Sequence, residues 1–187
     1  MTEAETPVWL HQLKRAIRGN RRDAHNRYVQ FATLGLDGKP RVRMFVVRGY
    51  ALSEAAFFII TDARSEKVEE LAQCPDVEVS WYVTQTRGQF RRQCSAVTHS
   101  HGTDADLHRD PLWKGLSDAT KAQLFWPEPG LPSGEGQSLE IMMHPPETFT
   151  VIECSPQRVD HLVLAKIQRR TLFDLTASGW TEVSVNP

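Results

Sequence analysis

The sequence predicts a mainly β protein: an antiparallel barrel or sandwich carrying peripheral helices. Two observations point that way. A succession of short segments is rich in Val, Ile, Phe, Tyr and Thr and bounded by turn residues. Helical periodicity recurs in only a few places and is missing between most of these segments, whereas a parallel α/β sheet needs a crossover helix between its strands.

The chain has 187 residues, enough for one domain with a real core, and it reads as a single domain over residues 1–187. Acidic residues number 23 and basic residues 22, so bulk charge favours no polyanion and no nucleic acid partner is expected. No apolar run has membrane-spanning length, and the acidic start MTEAETPVWL has no secretory h-region, so neither membrane insertion nor export is expected. The three cysteines are widely spaced, which fits a reducing cytoplasm better than a disulfide framework.

Taken in order, Trp9, Leu10, Leu13 and Ile17 recur at helical spacing, and Gly19-Asn20 is a stop; a helix is expected from Pro7 to Arg18. The arginine-rich run Gly19–Arg27 reads as a solvated loop. Tyr28–Leu36 is a strand. Asp37-Gly38 follows it and predicts a tight type I′ hairpin, so Pro40–Tyr50 returns as the second strand. Phe57–Thr61 is a third, almost wholly apolar strand. Ser65 caps a helix to Gln73 with Val68, Leu71 and Ala72 inward. Val77–Val83 and Gln89–Thr98 are further strands. Short helices are expected over Asp110–Leu116 and Ser117–Leu124, then a mobile Pro/Gly/Ser loop, Glu128–Ser138. Strands return at Thr148–Glu153, Arg158–Leu164, Arg170–Leu175 and Glu182–Val185.

The stretch that organises the chain is PRVRMFVVRGY, residues 40–50. It is a strand by composition but carries Arg41, Arg43 and Arg48, and buried guanidinium groups need an anion. A second cationic group lies where the third strand runs into a helix: Thr61, Arg64, Ser65 and Lys67. Free backbone N–H groups and the positive end of the dipole make such a corner suited to phosphate. The plainer reading is that Ser65 only caps and Lys67 is solvated. His99, His101 and His108 lack a carboxylate at ligand spacing and read as a polar loop, so no metal is expected. Cys94 reads as an inert core thiol, and Trp113 and Trp126 as core or interface aromatics.

RMFVVRG, then FFIITDARSEKVEELAQCPDVEVSWYV and RGQFRRQCSAV, resemble the pyridoxamine 5'-phosphate oxidase-like family of FMN-binding split barrels. The match runs from Tyr28 through Val97 and continues more weakly to Pro187. LWKGLS and QLFWPEPG are similar to its cyanobacterial and plant branch. The resemblance implies an FMN-binding split barrel that works as a homodimer with flavin at the interface. It assigns FMN contacts to Arg43 and Arg48, and lays Met44, Phe45, Val46 and Val47 along the isoalloxazine ring. Ile60 and Thr61 fall on the family's Tyr-Thr pair. Ser65 and Lys67 fall on its Ser-Arg-Lys phosphate motif, with Glu66 in place of the central arginine and Arg64 as a substitute. Gln89 falls on a glutamine that reaches flavin across the dimer, near a face carrying Phe31, Phe58 or Trp81.

The departures concern the substrate. The family's substrate-phosphate trio of Tyr, Arg and Ser has no counterpart in Asp104–Ser117. Its Arg-Leu-His-Asp-Arg motif falls on Lys166-Ile167-Gln168-Arg169-Arg170, where only Arg170 is kept, as an implied cofactor contact, and its flavin-side tryptophan falls on Leu162. The resemblance therefore implies a flavin-dependent oxidoreductase of unassigned substrate. The alternatives are a non-catalytic flavin-binding or sensing module and a haem- or deazaflavin-binding relative.

Overall fold

Nine strands pair antiparallel in one sheet in the computed structural model, which describes residues 6–20, 22, 24–51, 55–102, 106–132 and 143–187. Helix α1 (Val8–Gly19) turns Trp9, Leu10, Leu13 and Ala16 inward, and Asn20 closes it with its backbone N–H on Ala16 O. A short 3-10 turn, Ala24–Arg27, lies inside the predicted loop. Strands β1 (Tyr28–Leu34) and β2 (Pro40–Val46) form the expected hairpin. Its turn is not type I′. Only Gly38 has positive φ, at +75°, while Gly38 N–H donates to Gly35 O and Gly35 N–H to Lys39 O, each at 2.8 Å. A type I turn followed by a left-handed glycine spans residues 35–39.

The predicted strand over Pro40–Tyr50 breaks at Val47-Arg48. Beyond it, β3 (Gly49–Tyr50) pairs with β4 (Phe57–Asp62), and Arg48 N–H donates to Phe58 O at 2.8 Å. With β5 (Asp76–Val83), β6 (Gly88–His99) and β7 (Phe149–Val163), the strand order is β2-β1-β5-β6-β7-β4-β3. Its two ends, β2 and β3, are joined by two residues. The sheet must therefore curl until its ends meet, which makes it a barrel.

The two strands predicted at Thr148–Glu153 and Arg158–Leu164 are one strand, β7. Its first half pairs with β4 (Phe57 opposite Cys154), and its second half pairs with β8 (Arg169–Thr176), Arg158 opposite Asp174. Pro156 stands between the halves, at the register shift beside Gln93/Cys94. A residue without an N–H is tolerated there because the bulge already interrupts the ladder. Strand β9 (Gly179–Val185) pairs only with β8.

The barrel interior is filled by inward residues such as Val29, Phe31, Ile59, Val79 and Phe90, each at most 1% exposed. Phe31, Phe58 and Trp81, expected near an exposed face, are all buried. Helix α2 (Glu66–Gln73) buries Leu71 as expected, but Ala72 is exposed and the fully buried partner is Glu70. Helices α3 (Asp106–Lys114) and α4 (Asp118–Gln123) pack outside the barrel with Trp113, Leu116 and Phe149 in a second apolar cluster. Ser117 caps α4 as predicted, accepting from Thr120 N–H. Residues 133–138 of the expected mobile loop lie outside the described residues. Among the described residues no helix is long and apolar enough to cross a membrane.

Candidate functional site

Three of the residues singled out in the sequence meet where β4 enters α2. Ser65 holds the N-cap position in extended conformation, φ −81° and ψ 139°, yet its hydroxyl does not cap the helix. It donates back to Asp62 O at 2.6 Å and lies 3.2 Å from Thr61 Oγ1. The first turn of α2 is left without a side-chain cap; Val68 N–H donates to Ser65 O at 2.9 Å, and the positive end of the helix dipole faces the corner, where it suits an anion. Lys67 Nζ reaches into the same corner, donating to Thr61 Oγ1 at 3.1 Å and lying 5.9 Å from the Phe45 ring centroid. Burial pushes the Lys67 pKa below that of a free lysine, and the nearby Arg43 charge adds to the effect. An ammonium held in that state gains most from an arriving phosphate.

Arg43 lies on β2 and Arg48 in the break that follows it, and the two side chains go to different places. Arg43 turns toward α2. It donates to Thr33 Oγ1 at 2.6 Å and to Glu70 Oε1 at 2.7 Å, and Thr33 Oγ1 donates to Glu70 Oε2 at 2.6 Å. Burial alone would raise the Glu70 carboxyl; Arg43 and Thr33 outweigh it and hold the pKa below the usual value. Arg43 therefore supports the corner by fixing α2 to the β1–β2 hairpin. Arg48 faces an open cleft of about 230 Å³, lined by Met44, Phe45, Val46 and Ile60 on the barrel side and by Gln123 and Leu124 of α4. Its Nε is buried with no hydrogen-bond partner among the described residues, and burial lowers its pKa. Val47 is directed away and packs against the core.

Other assigned residues lie elsewhere. The Arg64 fork is taken by Asp62, at 3.0 and 2.6 Å, and by Trp126 O, so Arg64 does not replace the missing motif arginine with a free guanidinium. Gln89 stands on β6 between Tyr82 and Leu162, and Arg170 forks onto Asp160 at 3.1 and 2.8 Å, where Arg91 also pairs. Neither Gln89 nor Arg170 lines the cleft. Arg91 pairs with Asp160, and Arg92 is fully buried.

Cys94 is buried, and its surroundings push the thiol up to about 12, as expected of an inert core cysteine. Sequence reading missed Glu70 and the α4 wall of the cleft. It also missed that Glu153 of β7 supplies the carboxylate lacking around His99, at 2.9 Å. Their only sequence signal is an apolar or acidic residue at helical or strand spacing, and partners this far apart are not visible in it.

The residues suit a flavin phosphate and ring: hydroxyls, an ammonium and a helix N-terminus at the corner, then an apolar cleft edged by the Arg48 guanidinium. A closed antiparallel barrel with that corner and cleft defines the class, an FMN-binding split barrel. The family model described as pyridoxamine 5'-phosphate oxidase, FMN-binding domain, matches residues 6–100. Over 96% of both chains, the sequence is 34% identical to pyridoxine/pyridoxamine 5'-phosphate oxidase 2 of Arabidopsis thaliana. A pyridoxamine 5'-phosphate oxidase-related, FMN-binding protein of Nostoc punctiforme superposes with a TM-score of 0.92 at 30% identity, covering 98% of this chain and 100% of that one. PhzG of Burkholderia lata shares the fold, with a TM-score of 0.81 at 16% identity over 99% of this chain and 100% of that one. The chain belongs to the pyridoxamine 5'-phosphate oxidase family of FMN-binding domains. Its cofactor is FMN, and the resemblance to the plant and cyanobacterial branch holds.

Proposed function

We propose that the chain is an FMN-dependent oxidoreductase in which Thr61, Ser65 and Lys67 hold the flavin phosphate and the Met44–Val46 edge with Arg48 holds the ring. The observation that carries the reading is the uncapped start of α2 facing a desolvated lysine. When bound, FMN supplies electron or hydride transfer. The chain's own residues then bind, orient and add positive charge beside the ring. We place the working unit as a homodimer. The cleft, at about 230 Å³, is smaller than the roughly 300–1,000 Å³ of a complete small-molecule site. Its Met44 wall is 58% exposed, beside Val42 at 65%.

FMN and riboflavin titrations test the corner. FMN should bind far more tightly, and Lys67→Ala should cost FMN about 1.5–3 kcal/mol while leaving riboflavin unchanged. Equal affinity for the two flavins overturns the assignment.

A second reading, oxidation of pyridoxine or pyridoxamine 5'-phosphate, is favoured by the 34% identity to the Arabidopsis protein. Against it stands the α3 segment, where Arg109 is committed to Phe149 O at 2.9 Å and Pro146 O at 2.8 Å rather than offered to a second phosphate. Turnover of either compound by the FMN-loaded protein, read as peroxide formed, decides between them.

A further inference from the structure

On the outer face of the barrel, under α3, His99, His108 and Glu153 bring two imidazole nitrogens and one carboxylate oxygen within 4.8 Å of one another. They come from the end of β6, from α3 and from the middle of β7. His99 Nε2 lies 2.9 Å from Glu153 Oε2, and His108 Nε2 lies 3.9 Å from the same oxygen. A hydrogen bond explains the first distance; the second is beyond hydrogen-bond reach. The imidazoles nonetheless converge, with ring centroids 4.7 Å apart, and the Phe58 ring backs His108 at 5.0 Å. His99 and Glu153 are largely buried, with side chains 19% and 18% exposed, while His108 at 36% forms the open side.

We propose that this cluster binds a first-row divalent cation of the Zn²⁺ class, a reading independent of the flavin site. Two imidazoles and one carboxylate are a borderline donor set that suits Zn²⁺, Co²⁺ or Fe²⁺ and disfavours Mg²⁺ and Ca²⁺, which take oxygen alone. Bonds of about 2.0–2.2 Å in tetrahedral geometry place donor atoms about 3.3–3.5 Å apart, so a cation draws the two imidazoles, now within 4.8 Å, together by up to about an ångström and opens the His99–Glu153 contact slightly. Three protein ligands leave a position for water or an anionic group on the exposed side. The cation ties α3 to β6 and β7.

The test uses the full chain, chelator-treated and titrated with Zn²⁺ by calorimetry. One Zn²⁺ per chain is expected, with a rise in Tm when it binds. Glu153→Gln keeps a hydrogen-bonding group for His99 but is a poor ligand. That variant and His108→Asn should keep the metal-free Tm, lose the Zn²⁺-dependent rise, and bind about tenfold or more weakly. His101→Asn, on the neighbouring loop, should bind as the parent does. With Co²⁺ in place of Zn²⁺, visible ligand-field bands should appear in the parent and vanish in Glu153→Gln. Absence of saturable binding, unchanged affinity in Glu153→Gln or His108→Asn, or loss of binding in His101→Asn overturns the proposal.

Discussion

Arg43 Nη2 lies 2.7 Å from Glu70 Oε1, and the carboxylate it meets is fully buried. The pair joins the hairpin to the helix that carries Lys67, so it supports the phosphate corner from behind. Removing the cation strands a charge in the interior. Arg43→Ala should therefore lower folding stability by about 2–4 kcal/mol, allowing for the solvent that reaches the arginine. Glu70→Gln in the same chain should recover part of that loss. Urea denaturation of the four members of the cycle measures both. The Glu70 pKa is depressed in the fold, so its contribution is present above its ordinary value of 4.5 and is lost as pH falls through the folded value below that. A cost below about 1 kcal/mol for Arg43→Ala would mark the pair as an ordinary surface bridge.

Arg92 is fully buried on the interior face of β6, and among the described residues none of its three nitrogens has a hydrogen-bond partner. Its guanidinium carbon lies 3.9 Å from the Phe57 ring centroid and 5.4 Å from that of Trp81. Cation–π contact is worth about 0.5–2 kcal/mol, less than the several kcal/mol of desolvation an unpaired ion pays. Arg92→Met keeps the volume and removes the charge, and should raise stability by about 1–4 kcal/mol. The denaturation midpoint reads the sign directly, and a fall would mean that the guanidinium is paired inside the barrel.

His161 stacks on Phe90 with centroids 3.9 Å apart and planes 9° apart, and its Nδ1 lies 2.8 Å from Gln12 Oε1 of α1. Burial, and then the Arg169 charge, lower its pKa from 6.5 to about 4, against an opposing pull from Asp160. Between those values the unfolded chain binds the extra proton, so stability is lost as pH falls through that window. His161→Phe keeps a stacking ring without titrating. Denaturation midpoints across the window should fall less steeply in that variant. Parallel slopes in parent and variant would show that His161 is not the group responsible.

What the sequence made legible was local. Thr61, Ser65 and Lys67 fall within one turn of chain, so a strand end, a cap residue and a first-turn lysine are enough to find the corner. Tyr28–Leu34 and Pro40–Val46 are a hairpin whose register follows from adjacency. The break at Val47-Arg48 was hidden because it arises from β3 leaving β2 for β4, a choice made by barrel closure and not by composition. Ser155-Pro156 looked like a strand end, since the bulge that admits the proline is defined by β6. Glu70 is absent from the inward positions read for its helix because its partners, Thr33 and Arg43, are 37 and 27 residues away. A separation of 54 residues likewise concealed Glu153 from His99.

The resemblance gives Gln89 and Arg170 contacts to flavin, yet both stand apart from the cleft that Arg48 edges. A single chain leaves the cleft open along Met44, and Val42 lies beside it on β2, both apolar and more than half exposed. A second copy laid there would cover them and bring its own polar residues to the ring. If so, FMN binds the dimer better than the monomer, and mass action requires FMN to drive association and dilution to release it. Sedimentation monitored at the protein and flavin bands reads both. Val42→Lys, on an exposed position outside the cleft lining, should yield a folded monomer that has lost flavin. Gln89→Ala should weaken FMN while leaving the free chain's stability unchanged. Flavin travelling with a stable monomer would show that each chain completes its own site, and the cross-chain role of Gln89 would fall with it.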